Sequence, residues 1–473
     1  MSIYRTIKKF LFRFSTFIFS LGLLIGGYFL VHMGYSNDNQ YSRVFLPIFN
    51  YTNREKIVEV QTEVNTDERS KFDKTDKDLI PDFDWIRKNI KTNLSRKAFL
   101  SSSVSLLAAY EYPDKIALQT MSLNMFAKTV YCHYFDEDQK PLGKPFESVV
   151  FPESVVYCAR RPKSRFVSLS EKIDDKLNIP VKLIDRTMKN FKHFFSVCLA
   201  PLYGSEPKWL WVTEFIEHYK IQGATYFYIY ITEDLHPYDR RVLDDYVRTG
   251  NVEVISIVDR FKRDPRHWQT IQVHDCHLRN RHFANWTAFV DTDERILVND
   301  TIGTVVDYLR SINDSTIGAV TFRQRWLAKD ETMPRKYEDE KKVIEWMPTQ
   351  KYHNTSAVTG NGWVVKTIIQ PLKVFYMWIH YPRIMMKPYW GYSVKPEEGF
   401  SRHYRNDNAW SRQRLPEFGN FSMTEYPRKY NQQLIDAVTK RLKYVYEYEA
   451  EETNRVSRVE NGYQDTIAPK IVV

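Results

Sequence analysis

From Phe194 onward the chain alternates apolar runs with helix-like runs, and this alternation constrains the fold more than any other feature. Phe194-Phe-Ser-Val-Cys-Leu-Ala200 is continuously apolar, as expected of a strand buried on both faces. Residues 208–219 have helical spacing, with Leu210, Phe215 and Ile216 on one side. Ala224-Thr-Tyr-Phe-Tyr-Ile-Tyr-Ile231 reads as the next strand, 237–248 as a helix closed by Gly250, and 252–258 as a third strand. A helix over 271–283, a strand at 286–290, a helix over 304–310 and a strand over 317–322 continue the series. Alternation of this kind predicts parallel βαβ units with helices on both faces of the sheet. Ligands of such sheets sit at the carboxyl ends of the strands.

The fourth strand ends in a burst of acid. In Asn285-Trp-Thr-Ala-Phe-Val-Asp-Thr-Asp-Glu-Arg-Ile-Leu-Val298 two apolar runs flank Asp291, Asp293 and Glu294. Three carboxylates at a strand end need a reason, because unpaired buried charge is costly. A divalent cation holding a diphosphate supplies one, since hard oxygen ligands suit Mn²⁺ or Mg²⁺. On an extended chain Asp291 and Asp293 point the same way, so one cation is predicted between them. The competing reading is a solvated acidic turn. His274, His277 and His282 on the 271–283 helix lack the i, i+4 spacing of a metal pair and read as packing histidines.

The remainder of the chain sets a context. With 473 residues, 43% hydrophobic, it is long enough for a large core and one or two domains. A net charge of +10 discriminates poorly; the bases are scattered and no nucleic-acid motif is present, so no nucleic-acid partner is expected. Lys8, Lys9 and Arg13 precede an uncharged stretch at 14–33, long enough to span a bilayer, with no small-x-small cleavage site at its end. This predicts a cytosolic tail over 1–13, an uncleaved membrane anchor over 14–33 and a lumenal body. Residues 34–96 are polar and charged and read as a stem. Residues 97–185 hold short β-rich runs at 116–123, 129–135, 148–151 and 155–158, predicting a small antiparallel accessory domain. The catalytic region is placed at 190–450 and a flexible tail at 451–473. Cys132, Cys158, Cys198 and Cys276 all follow the anchor; proximity favours Cys132 with Cys158 and Cys198 with Cys276, and their spacing does not fit zinc. Sequons begin at Asn50, Asn93, Asn299, Asn313, Asn354 and Asn420; that at Asn285 lies too close to a buried strand for use.

Together these motifs resemble glycosyltransferase family 92, the DUF23 domain. The resemblance rests on Ser196-Val-Cys-Leu-Ala-Pro-Leu-Tyr-Gly204, on Trp209 to Lys220, on Gly223-Ala224 with Phe227-Tyr-Ile-Tyr230, and on Phe289-Val-Asp-Thr-Asp-Glu294. Lys366-Thr-Ile-Ile-Gln-Pro371 through His380 and the closing His403-Tyr-Arg405 complete it. Arg295 stands where the family usually has an aromatic residue. The resemblance, to nematode β-galactosyltransferase-type members in particular, implies a GT-A-like Rossmann-type mixed α/β sheet flanked by helices. It also implies type II Golgi topology, a metal-dependent nucleotide-sugar donor such as UDP-galactose, and inverting transfer of a β-linked hexose to a glycan or glycoprotein acceptor.

Such a reaction needs a metal, donor contacts, a base and an acceptor platform. The metal set expected is Asp291, Asp293 and His403, holding Mn²⁺ or Mg²⁺. Donor contacts are expected from Asp291 toward the ribose and from Arg405, with Arg402 competing, toward the diphosphate. Candidate bases are Asp407, then Asp330 and Glu331. Acceptor sugars stack on aromatic faces, and Trp363, Trp326 and Trp390 are the candidates, against the competing reading of core packing. Gly360-Asn-Gly-Trp363 reads as a flexible turn beside the cleft. The alternative to the enzyme is a catalytically inactive lumenal glycan-binding or scaffold protein of the same fold.

Overall fold

The computed structural model describes residues 104–121, 127–175, 177, 179–258, 265–329, 331–360, 364–406, 419–448 and 470–472. All of them belong to one compact unit. The expected tail, anchor and stem, Asn50 and Asn93 lie outside them. Among the described residues no helix is long and apolar enough to cross a membrane.

Seven strands form the first sheet: β1 (Ser105–Glu111), β2 (Lys115–Met121), β3 (Thr129–Phe135), β4 (Phe146–Val149), β5 (Val155–Ala159), β6 (Phe166–Ser170) and β7 (Val181–Asp185). Their order is β4-β3-β6-β7-β1-β2-β5. Every pairing is antiparallel except β1 with β7, so the sheet is mixed rather than antiparallel throughout. Its two ends meet. Val150 bridges Val156, Ser148 Oγ donates to Tyr157 O, and the Cys132–Cys158 disulfide joins β3 to β5.

The second sheet continues the numbering with β8 (His193–Leu202), β9 (Tyr226–Thr232), β10 (Val252–Val258), β11 (Ala284–Val290), β12 (Glu294–Val298) and β13 (Ile317–Lys329). Next come β14 (Asn354–Thr355), β15 (Val365–Ile369), the separate hairpin β16 (Val374–Met377) and β17 (Pro382–Met385), and β18 (Trp390–Ser393). The last are β19 (Gly399–Asn406), β20 (Ser422–Met423) and β21 (Lys470–Val472). The main order is β12-β19-β13-β15-β11-β8-β9-β10-β21. From β11 to β21 the strands are parallel, whereas β15 enters antiparallel between β11 and β13. The chain starts at β8, steps outward through β9 and β10, then returns to place β11 on the other side of β8. That reversal is a topological switch point, where the carboxyl ends of β8 and β11 open a crevice.

Alternate side chains of these strands feed two cores, which is why their sequences are apolar without alternation. Phe195, Val197 and Leu199 of β8 and Trp286, Ala288 and Val290 of β11 pack on one face with α1 (Trp209–Ile221), α2 (Pro237–Arg248) and α4 (Val305–Arg310). Cys198, Tyr228, Tyr230 and Phe289 pack on the other face with α3 (Pro265–Asn280). The Cys198–Cys276 disulfide staples α3 to β8. Shorter α5 (Glu340–Trp346) and α6 (Pro348–Lys351) and the long α7 (Arg428–Lys443) complete the helices used below.

The first sheet docks on α3 through a buried polar node. Tyr110 and Tyr230 donate to the two oxygens of Asp275 at 2.5 and 2.6 Å, and Arg279 Nε donates to the same carboxylate at 2.6 Å. Tyr112 Oη donates to Leu278 O at 2.8 Å. His274 and His277 are buried on α3 and act as packing groups; His277 Nε2 lies 3.0 Å from Pro371 O.

Candidate active site

The switch-point crevice is a cavity of about 810 Å³. Its walls come from the β8 exit (residues 200–207), from Lys208 and Trp211 of α1, from Gln269, from Asp291, Thr292 and Asp293, and from Lys329, Glu331 and Arg405. The first amides of α1 do not face a ligand unpartnered: Lys208 N and Trp209 N both donate to Asp239 Oδ1, at 2.9 and 2.8 Å. Anion contacts in the cavity therefore fall to side chains, namely Lys208, Lys329 and Arg405.

Both aspartates of the acidic segment line this cavity, but not as an extended pair. The chain turns there, with Glu294 N donating to Asp291 O at 3.1 Å. The expectation that the two aspartates lie on an extended chain with parallel carboxylates is therefore corrected. Asp291 Oδ2 pairs with Lys366 Nζ at 2.8 Å and Oδ1 accepts from Gln269 Nε2 at 3.1 Å. Lys366 is buried and also pairs with Glu294 Oε2 at 3.0 Å. The two carboxylates hold its ammonium above the ordinary lysine value despite burial. Glu294 is fully buried, and burial pushes its carboxyl up to about 7 even beside Lys366.

Asp293 faces His403 instead, with His403 Nε2 3.3 Å from Asp293 Oδ2. Burial would raise the Asp293 carboxyl, yet His403, Arg405 and Lys329 hold it well below the carboxylate range. Burial would lower His403, but Asp293 and Glu294 together raise it above the ordinary histidine value. Strand register creates the cluster: Glu294 of β12 faces His403 of β19, which faces Trp326 of β13, and Gln324 lies two residues earlier on β13. His403 Nε2 is buried and has no hydrogen-bond partner of regular geometry.

Mn²⁺ or Mg²⁺ can be tested against these residues. Among the described residues no group of three His, Cys, Asp or Glu side chains is arranged to hold a metal alone. Asp293 at the cavity wall and the buried His403 Nε2 behind it, 3.3 Å from Oδ2, nevertheless offer one hard oxygen and one imidazole nitrogen. That pair suits a cation that takes its remaining ligands from a substrate's phosphates and water.

Arg295 explains itself in three dimensions. It is fully buried and donates to Glu214 Oε1 at 3.1 and 3.3 Å, to Thr292 O at 2.6 Å and to Glu294 O at 3.0 Å. Glu214 Oε2 in turn accepts from Thr349 N and Oγ1 at 3.1 and 3.0 Å. An ion pair thus fills the space and ties the acidic turn to α1 and α6.

Several expected roles move. Arg402 does not line the cavity; its buried guanidinium donates to Glu425 O, Thr424 O and Tyr352 O, which makes it a strut rather than a donor contact. Trp326 is 2% exposed and donates to Gln324 Oε1 at 3.1 Å, so it is core and not an acceptor platform. Trp390 is exposed but pairs at Ile317, the start of β13, whereas the cavity lies past Lys329 at its other end, about 40 Å along the strand. Arg405 lies on the cavity wall and over the Trp326 ring, 5.7 Å from its centroid. Glu331 lines the cavity with 53% of its side chain exposed, 3.1 Å from Lys351 Nζ. Asp330, Asp407 and Trp363 lie outside the described residues. Asn299, Asn313, Asn354 and Asn420 are exposed and Asn285 is half-buried in β11. Both disulfides pair as expected. Gln269, Gln324, Lys329 and Lys366 were not singled out from sequence, because each reaches the acidic turn from a distant segment.

A sheet of parallel strands reversed at β8 and β11, with an acidic turn and basic walls around one cavity, defines an α/β protein with a small-ligand site at its switch point. Residues 193–442 match glycosyltransferase family 92, and the chain belongs to that family. It is 39% identical over 74 residues to the galactan β-1,4-galactosyltransferase GALS1 of Arabidopsis thaliana, covering 15% of each chain. It is 30% identical over 111 residues to the β-1,4-galactosyltransferase galt-1 of Caenorhabditis elegans, covering 23% of this chain and 26% of that one. The matches thus span about a quarter or less of these relatives' length. A β-glucuronidase structure from Ruminococcus gnavus overlaps 38% of this chain and 34% of its own at 12% identity, with a TM-score of 0.13, too low to bear on the fold.

Proposed function

We propose that the protein is a metal-dependent, inverting hexosyltransferase of GT-A-like architecture. In this reading it moves galactose from UDP-galactose, in β linkage, onto a glycan or glycoprotein acceptor. We further propose that it works in the Golgi lumen as a single-pass type II membrane protein. Family membership supports sugar transfer, and the names of the two relatives support galactose. The observation that carries the site assignment is the meeting, at one cavity, of Asp293 and the cations Lys329 and Arg405, with the buried His403 behind Asp293, its Nε2 3.3 Å from Oδ2.

Asp293 and His403 are the residues that would hold Mn²⁺ or Mg²⁺, which when bound supplies Lewis-acid stabilisation to the departing diphosphate. Lys329 and Arg405 add charge where the leaving group gains it, within a partly desolvated wall where such contacts are strong. Asp291 keeps part of its surface on the cavity for the ribose while anchored by Lys366. Glu331 is a carboxylate on the wall that can take the acceptor hydroxyl's proton, as is Glu206.

The test is transfer by the full-length protein to a glycan array from UDP-galactose, UDP-glucose and UDP-N-acetylhexosamines, with Mn²⁺ or with EDTA. Transfer from UDP-galactose that EDTA abolishes is the expected result. Transfer that ignores the chelator would remove the metal, and glycan binding without turnover from any donor would favour the inactive reading. Replacing residues 1–35 with a cleavable secretory signal should give a soluble secreted protein; a product that stays membrane-bound would overturn the anchor.

A further inference from the structure

We infer that Gln324 is a positioning residue that fixes the tautomer of His403, so that Nδ1 carries the proton and the Nε2 lone pair faces Asp293. The inference deepens the metal-site reading above and rests on it only for the binding consequence, not for the tautomer.

The argument is one of hydrogen-bond polarity. Gln324 Nε2 lies 2.7 Å from Glu294 Oε1, an acceptor when ionised, so the amide nitrogen points at Glu294 and the carbonyl Oε1 points the other way. Trp326 Nε1, which can only donate, lies 3.1 Å from that same Oε1 and confirms the orientation independently. His403 Nδ1 sits 3.0 Å from Gln324 Oε1. An oxygen that already accepts from an indole can meet a second group only as acceptor again, so Nδ1 is the donor. In neutral imidazole the proton then on Nδ1 leaves Nε2 bare. Nε2 is buried, 3.3 Å from Asp293 Oδ2, without a hydrogen bond of regular geometry. A lone pair aimed beside a carboxylate repels it, unless a cation lies between or the ring takes a second proton.

Such partners of a ligating histidine orient the ring and set which nitrogen binds. Gln324 does this at one remove, from a strand that shares no sequence neighbourhood with His403. Glu294 Oε1 also faces Nδ1 but at 3.5 Å, beyond hydrogen-bond range, so the amide is the group that decides.

The test uses the full-length chain, ¹⁵N-labelled at its histidines, with His403 assigned by its loss in His403→Gln. The ring nitrogen shifts at a pH where His403 is neutral should read Nδ1 as proton-bearing and Nε2 as bare. The opposite pattern overturns the inference whether or not a metal binds. Gln324→Met removes the acceptor, and the Nε2–H form should grow. Gln324→Glu keeps an acceptor for both Nδ1 and Trp326, with a proton shared with Glu294 in place of the amide donor, and the Nδ1–H form should persist. With UDP present, the Mn²⁺ dissociation constant should rise by about 10–100-fold in Gln324→Met and stay within about threefold in Gln324→Glu. An unchanged tautomer in a folded Gln324→Met overturns the role of Gln324. If the wild type binds no Mn²⁺ with UDP, the metal reading fails, and the ring shifts still decide the tautomer.

Discussion

Arg295 and Glu214 offer the sharpest test of how the acidic turn is built, because both are completely buried and, among the described residues, each has the other as its ion-pair partner. Removing Arg295 alone, as Arg295→Met, leaves Glu214 in a site where burial already pushes its carboxyl above the usual range and Arg295 is the main opposing influence. Breaking one half of a buried pair costs about 3–5 kcal/mol. For a structured unit of this size that corresponds to a fall in Tm of roughly 5–10 °C. Replacing both partners, Glu214→Leu with Arg295→Met, removes the stranded charge. Exchange of a buried pair for apolar residues of similar volume is often near neutral, so the double variant should recover most of the loss. The cycle should then give a coupling of about 2–3 kcal/mol. Transfer activity should not recover in parallel, because Thr292 O, between the two aspartates, loses the guanidinium that holds it at 2.6 Å. Thermal melting and transfer rates on the four proteins make the measurement. If Arg295→Met melts like a surface substitution, or if the two single effects simply add, the ion pair is not what fixes the turn.

Asp293→Ala should abolish transfer while melting within about 2 °C of wild type, since the side chain is part-exposed and its ion pair among the described residues is with His403; wild-type turnover would remove the metal site. Asp275→Asn should lower the melting temperature by several degrees, because one amide cannot accept from Tyr110, Tyr230 and Arg279 together; an unchanged melt would show that the first sheet does not depend on this node. Burial holds His277 down to about 3, below its ordinary 6.5. A depressed histidine leaves stability whole above about pH 6.5 and drains it as pH falls toward 3, by about 2 kcal/mol at pH 5. His277→Gln should therefore flatten the loss of stability between pH 7 and 5, and a slope equal to wild type would contradict the assignment.

What could be read from the residues followed the range of the interactions. The strands β8 to β11 were legible because burial on both faces writes a local apolar run, and α2 was legible from Pro237 to Gly250 because its start and stop signals are local. The site at the strand carboxyl ends was legible from the strand–helix alternation and the acidic cluster from its own composition, whereas the strand order that makes a switch point and the turn at 291–294 were not. Three strands of the first sheet, β1, β6 and β7, were missed: Ser105–Glu111 carries no alternation because both its faces are buried, Ala109 in one core and Ala108 and Tyr110 in another. The 13-residue β13 was read only to Phe322, because beyond it Arg323, Gln324 and Arg325 interrupt the apolar run with groups whose partners lie on β12, β19 and the 359 segment. Arg402 and Trp326 were assigned to the ligand because residue type was the only guide. Arg402 is committed to Glu425 O, 23 residues away, and Trp326 to Gln324 on its own strand, and neither contact is marked by residue type.

The same distinction separates the residues that touch the cavity from those that shape it. Asp291 and Asp293 sit two apart in sequence and yet belong to different electrostatic neighbourhoods, one governed by Lys366 and the other by His403. A short acidic motif therefore does not specify its own chemistry. The turn at 291–294 separates the carboxylates, the antiparallel insertion of β15 brings Lys366 to the first, and the β12–β19–β13 register brings His403 and Gln324 to the second. A relative sharing only the three-residue motif, without a lysine on the inserted strand or a histidine on the register partner, would hold both carboxylates free and should bind cations differently. Exchanging Lys366 for Met should accordingly free Asp291 toward the cavity and weaken the selectivity between its two aspartates, visible as metal binding that survives Asp293→Ala in the Lys366→Met background but not in the wild type.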